Sequence, residues 1–136
     1  MDSADAAAIA ASLELAAEHR GDLTPAVYAR LFAEQPEMRP LFVMDTNDAV
    51  KGEMLARVFD AILDFTGERR YAHMLIEAEA SNHEGYNVPR AVFASFFQTV
   101  SETVKDACGA GWTEAMAGAW ARLTAELGRY VAPADA

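Results

Sequence analysis

The apolar residues of this chain recur at helical spacing from end to end, and glycine and proline cut the pattern into segments; no other feature narrows the fold as much. Ile9, Leu13 and Ala17 stand four residues apart in an alanine-rich opening segment that Gly21 stops. Thr24-Pro25 supplies an N-cap followed by proline at the first helical position, and predicts a helix carrying Val27, Tyr28, Leu31 and Phe32. That helix ends near Gln35, because Pro36 disfavours a helical residue before it. Pro36–Phe42, with its two prolines, reads as a short turn or corner, and Asp45-Thr46-Asn47-Asp48 as a cluster of capping residues. Leu55, Val58, Phe59, Ile62 and Leu63 then follow the spacing of a one-faced helix, which Gly67 punctuates.

The second half reads the same way. Glu68–His83 is weakly periodic and helical, Glu84-Gly85-Tyr86-Asn87 is a loop, and Pro89 opens a long helix through Val92, Phe93, Phe96, Phe97, Val100 and Val104. Gly109-Ala110-Gly111 breaks it, and Thr113 caps a last helix with Met116, Trp120, Leu123, Leu127 and Val131. No segment alternates polar and apolar residues between turn signals, so no strand is expected. The fold class is all-α, with about six to seven helices whose lack of a heptad seam points to angular packing.

With 136 residues the chain has the length of one domain, taken as 1–136. Eleven Lys and Arg against 21 Asp and Glu leave a net charge of −10, which repels phosphate backbones and anionic lipid and argues against nucleic-acid and membrane-surface partners. An apolar content of 52% suffices for a core and is too high for a disordered chain. The longest apolar run, Ala6–Ala11, falls far short of a membrane span, and the Met1–Asp5 start is acidic where a signal peptide is basic. Cys108 is the lone cysteine, so no internal disulfide forms. These features point to the cytoplasm.

The run from Val27 to Phe42 is more specific. It places a tyrosine, Tyr28, in the second helix and follows it with Pro36-Glu37-Met38-Arg39-Pro40-Leu41-Phe42. Downstream, His83 is followed five residues later by Val88 and ten later by Phe93, and then by Ala119-Trp120. In this order and at these spacings the two signatures resemble the globin family, in particular single-domain bacterial haemoglobins and the globin domain of flavohaemoglobins. The resemblance covers about residues 5–131. It implies a globin-like fold around a haem pocket, with haem b (iron protoporphyrin) as cofactor.

On that resemblance His83 matches the proximal iron ligand, a role suited to neutral imidazole; its spacing alone fits a helix-end cap equally well. Phe42 matches the corner phenylalanine that stacks on the porphyrin, and is also an ordinary core aromatic. Tyr28 matches the distal tyrosine, whose phenol donates a hydrogen bond to bound dioxygen; the plainer alternative is a ring bridging two helices. A hydrogen bond to a charged acceptor is worth about 1.5–3 kcal/mol, or roughly 10- to 150-fold in affinity. Val88, Phe93, Phe96, Trp120 and Leu123 read either as porphyrin contacts or as core. His19 and His73 fall outside the family's ligand positions and read as solvated.

Two departures from the family stand out. If Leu55, Phe59, Ile62 and Leu63 face inward, helical phase puts Lys51 where the relatives carry glutamine and Leu55 one turn on, facing the ligand. Gly52 is the other register, and it turns Asp60 inward at a cost. Lys51 then snorkels to solvent, pairs with a haem propionate, or, if burial lowers its pKa, ligates iron as a neutral amine. On the proximal side, Phe93 takes the place of the relatives' tyrosine, and Asp135 lies near their acidic position. Glu79, four residues before His83, is either a hydrogen-bond partner for the imidazole or a solvated carboxylate.

The function these readings favour is reversible binding of dioxygen, with nitric oxide and carbon monoxide as further ligands, at a five-coordinate haem iron. The alternatives are a nitric oxide dioxygenase drawing electrons from a separate reductase, a haem-based gas sensor, and an all-α partner-binding domain. The last predicts an exposed apolar face, which the helical patterns do not show.

Overall fold

The computed structural model describes residues 1–131. Six α-helices run α1 (Ser3–Arg20), α2 (Thr24–Glu34), α3 (Ala49–Thr66), α4 (Ala72–Gly85), α5 (Arg90–Cys108) and α6 (Glu114–Val131). One 3-10 segment, Pro36–Phe42, forms the expected corner, and another, Gly109–Gly111, joins α5 to α6. No strand occurs among the described residues, so the fold is all-α. No helix among them is long and apolar enough to cross a membrane.

The punctuation acts largely where the spacing places it. Gly21 ends α1 at φ +66, a backbone shape that glycine adopts without steric cost, and its N–H closes on the Ala17 carbonyl at 2.7 Å. Thr113 caps α6, accepting from the Met116 N–H at 3.1 Å. At α2 the cap moves: Thr24 is already helical, and the Asp22 carboxylate takes its N–H at 3.0 Å. Asp22 sits two residues earlier and offers an acceptor oxygen where the threonine hydroxyl was expected.

Residues Glu68–Tyr71 are not helical, contrary to the periodic reading, and α4 begins only at Ala72. The cause is Asp64, near the end of α3, whose carboxylate accepts from the backbone N–H groups of Arg70, Tyr71 and Ala72 at 3.0, 3.0 and 2.8 Å. It caps α4 from the preceding helix and holds the link between them in a tight turn with Arg69 at φ +53. At the other end α4 runs on through Glu84 and Gly85, so His83 lies within the last turn rather than at a loop. The Val88 N–H then returns to the His83 carbonyl at 2.9 Å, and Asn87 takes the left-handed conformation that asparagine tolerates.

α1 packs chiefly on α5 and α6, and it brings a polar knot into the core. Ser12, fully buried, accepts from Trp120 Nε1 at 2.9 Å and donates to the Ile9 carbonyl at 2.7 Å, while Cys108 donates its S–H to the Ser12 carbonyl. Trp120 and Leu123 therefore belong to this inner core. Ser12→Ala strands the indole N–H without a partner, so the chain is expected to lose about 1–3 kcal/mol in urea unfolding. A change within the about ±0.5 kcal/mol usual for exposed sites would mean that water reaches the indole.

Candidate functional site

A cavity of about 870 Å³ opens between α3, α4 and α5 under the Pro36–Phe42 corner. This is the size of a pocket that encloses a ligand rather than a water molecule. Leu31, Met38, Phe42, Val58, Leu75, Ile76, Val88, Val92, Phe93, Phe96 and Phe97 give it an apolar lining. Its polar groups are few: Tyr28, Asp45, Arg57, Glu79, Asn82 and His83. Leu41, Met44, Val50 and Tyr86 line it as well while remaining 48, 89, 52 and 73% exposed, so the mouth is apolar too.

Seven residues singled out from the sequence as site candidates, Tyr28, Phe42, Glu79, His83, Val88, Phe93 and Phe96, share this cavity. Tyr28 comes from α2 and is 3% exposed. Its ring is clasped by Phe32, Phe42 and Phe96 at centroid distances of 6.1, 5.5 and 5.8 Å. Its hydroxyl is buried and has no hydrogen-bond partner, an unsatisfied group that costs stability in an apolar setting. Burial, and then the charge of Asp45, push the phenol's pKa upward, so the group stays neutral and keeps a hydrogen to donate.

His83 enters from α4. Its Nδ1 lies 2.8 Å from the Glu79 carbonyl oxygen. A carbonyl only accepts, so Nδ1 is the donor there, and Nε2 is the ring nitrogen left for another partner. Phe93 packs against the imidazole at a centroid distance of 4.9 Å and helps fix the ring plane. The Glu79 carboxylate, considered from the sequence as a partner for the ring, stands farther off: Oε2 is 3.5 Å from Nδ1, and Asn82 approaches Oε1 at 3.4 Å. The nearer acceptor is the backbone, because one helical turn brings the carbonyl of residue 79 directly beneath residue 83.

Lys51 and Leu55 do not line the cavity, although the sequence reading put both there. α3 instead turns Val50, Met54, Arg57, Val58 and Ala61 toward it. Asp45 sets this register. Its side chain is 4% exposed and accepts from the N–H groups of Val50 and Lys51, both at 3.0 Å. It also holds the Lys51 ammonium at 3.1 Å, with Asp48 at 2.9 Å on the other side. Lys51 Nζ thus lies 5.5 Å from the Phe42 ring centroid, packed against the corner rather than reaching into the cavity. The hydrogen bond that Lys51 donates to Asp48 leads the effects that raise its pKa, which favours the charged ammonium over the neutral amine that iron ligation needs. Leu55, 2% exposed, packs in the core.

Asp45 itself is held below the ordinary carboxylate value of 3.8. Burial alone would raise it, but the two backbone N–H groups and the Lys51 ammonium outweigh that. A depressed folded pKa stabilises the fold fully above 3.8, and that contribution fades as pH falls through the folded value. Asp45→Asn is therefore expected to destabilise the chain by a constant amount from neutrality down to about pH 5 and by progressively less below it. Urea unfolding of both chains across pH measures this; a difference that does not shrink in acid would detach the effect from the Asp45 charge.

The remaining histidines stay outside. His19 Nδ1 meets the Ala107 carbonyl at 2.9 Å. His73 is not solvated as expected, since its Nδ1 is buried without a partner beside Tyr130. Asp135 lies outside the described residues. Sequence spacing missed Met54, Arg57 and Asp45, the first two because α3 buries two adjacent faces and the pattern cannot tell which one meets the cavity.

Compared with known proteins, the chain matches the family model described as Globin over residues 25–130. No curated protein and no solved structure matches it.

Proposed function

The chain belongs to the globin family, and from that premise we propose that residues 1–136 form a single-domain globin that holds haem b in this cavity and reversibly binds dioxygen. The observation that carries the proposal is the pairing of His83 with Tyr28. One offers a committed Nδ1 and a free Nε2 to an apolar cavity; the other offers a buried hydroxyl with no protein partner. An orphaned donor and an unshared imidazole lone pair are the groups that a haem and its gas ligand would satisfy, so the residues present fit the cofactor.

Haem supplies the iron that binds a diatomic gas, chemistry no side chain provides. His83 would hold the iron, and the Glu79 carbonyl and Phe93 keep its ring from rotating. Phe42 and Val88 would pack against the porphyrin, and the apolar lining would limit water around it. Lys51 and Leu55 act behind this wall: Lys51 steadies Asp45 and Phe42, and Leu55 backs α3. Tyr28 donates its hydroxyl hydrogen to a polar ligand. Nitric oxide and carbon monoxide are further ligands, and the reading puts the protein in the cytoplasm.

Titrating the purified chain with hemin tests this. Uptake is expected to saturate at one haem per chain, and the dithionite-reduced product is expected to bind carbon monoxide and to release dioxygen on evacuation. A chain that takes up no haem would end the proposal. If a partner reductase instead drives rapid loss of nitric oxide in the presence of dioxygen, the protein is a nitric oxide dioxygenase. If gas binding changes a partner's affinity, it is a sensor.

A further inference from the structure

The cavity lining away from α4 would meet the side of a haem that His83 leaves open, and the side chains there differ sharply in what they can offer a metal. Among the cavity-lining residues away from α4, Arg57 cannot give up its proton under any ordinary condition. Asp45 is already occupied by two backbone N–H groups and the Lys51 ammonium, and Lys51 itself faces the corner. The Tyr28 phenol would have to ionise, and burial beside the Asp45 carboxylate opposes that. What remains are thioethers, which are neutral, soft and unbranched, and which bind iron without losing a proton.

Three methionines line the cavity, and their positions separate them. Met44 is 89% exposed at the mouth, and Met38 is buried within the 3-10 corner. Met54 lies in the middle of the α3 wall, one turn after Val50 and one before Val58, flanked by residues that also face the cavity. Neither flanking side chain carries a donor atom that would compete with it.

We propose that the Met54 thioether is an internal ligand of the haem iron, opposite His83, and that an incoming gas binds by displacing it. This rests on the haem reading above. Histidine–methionine ligation raises the reduction potential and favours the ferrous state that binds dioxygen. It also lowers apparent gas affinity in proportion to the self-ligated fraction, because only iron freed from Met54 can accept the gas. Tyr28, which the iron does not recruit, remains free to donate to the gas once Met54 has left.

The experiment uses the full chain reconstituted with hemin and reduced under argon, alongside Met54→Leu, which keeps the apolar volume and removes the sulfur. Wild type is expected to give a six-coordinate, low-spin ferrous spectrum, and in the ferric state the near-infrared charge-transfer band of a sulfur ligand. Met54→Leu is expected to lose both and become five-coordinate. Carbon monoxide association should level off with concentration in wild type, limited by release of Met54, and rise linearly in the variant. Five-coordinate ferrous wild type overturns the proposal, as does a six-coordinate spectrum that survives in Met54→Leu. If neither chain takes up haem, the proposal falls together with the haem reading, whereas haem uptake with five-coordinate iron sinks it alone.

Discussion

His83→Ala is expected to abolish tight haem retention, with a loss of more than about 100-fold in affinity. Removing only an outer partner of a metal-binding histidine already costs 10- to 100-fold, and here the ligand itself is deleted. The measurement is transfer of haem from each chain to an excess of an apo-globin acceptor, followed by absorption. The substitution lies in the last turn of α4, partly exposed, where alanine is a better helix former than histidine. The fold should therefore survive, and far-ultraviolet circular dichroism of the variant should match wild type. Added imidazole is expected to restore haem retention and the spectrum in His83→Ala, because the deleted ring leaves space beside Phe93 for a free one. Retention unchanged in the variant would move the iron to another side chain. Loss of helicity would assign His83 to folding.

Much of the frame behind that prediction is legible in the sequence because it is local. Gly21, Pro25, Pro36 and Pro89 act on their own backbone, and the structure places helix boundaries within a residue or two of them. Tyr28, Phe42, His83, Val88 and Phe93 reach one cavity from four separate elements and the α4–α5 link. No spacing rule brings such elements together; the match of the two signatures to a family implied it, and in the structure these five residues line the same cavity. The errors come where a residue acts at a distance. Asp64 caps α4 across the α3–α4 link, so a periodicity that seemed to begin at Glu68 begins at Ala72. Asp45 gathers the first turn of α3 and the Lys51 ammonium around one carboxylate, and so holds against the Phe42 corner a buried lysine that helical phase pointed toward the ligand.

The α3 register shows why one apolar stripe is not enough. Leu55, Ile62 and Phe65 are buried at 2% or less, against the core that α1 and α2 share with α3. Val50, Met54, Val58 and Ala61 form a second stripe about 100° away, facing the cavity. A sequence read with a single inside and a single outside assigns the pocket to the more apolar stripe, which here is the core. Only a structure separates apolar because packed from apolar because it faces a ligand.

Tyr28→Phe is expected to move gas affinity and stability in opposite directions, and that pairing makes it diagnostic. The Tyr28 hydroxyl is buried without a partner, so the haem-free chain carries a desolvated donor that folding does not satisfy. Deleting it removes a penalty of about 1–3 kcal/mol, and the apo variant should unfold at higher urea than wild type. Phenylalanine keeps the ring contacts with Phe32, Phe42 and Phe96, so packing offers no offsetting loss. With haem and dioxygen bound, the same hydroxyl meets an acceptor bearing partial negative charge. Losing a bond worth about 1.5–3 kcal/mol should speed dioxygen release by roughly 10- to 150-fold. Carbon monoxide accumulates far less charge and should be retained almost as well as in wild type. Stopped-flow release of both gases from wild type and variant makes the comparison. Equal losses for the two gases would mean that Tyr28 shapes the cavity without donating to the ligand. A variant less stable in its haem-free form would mean that the hydroxyl already has a partner inside the folded chain.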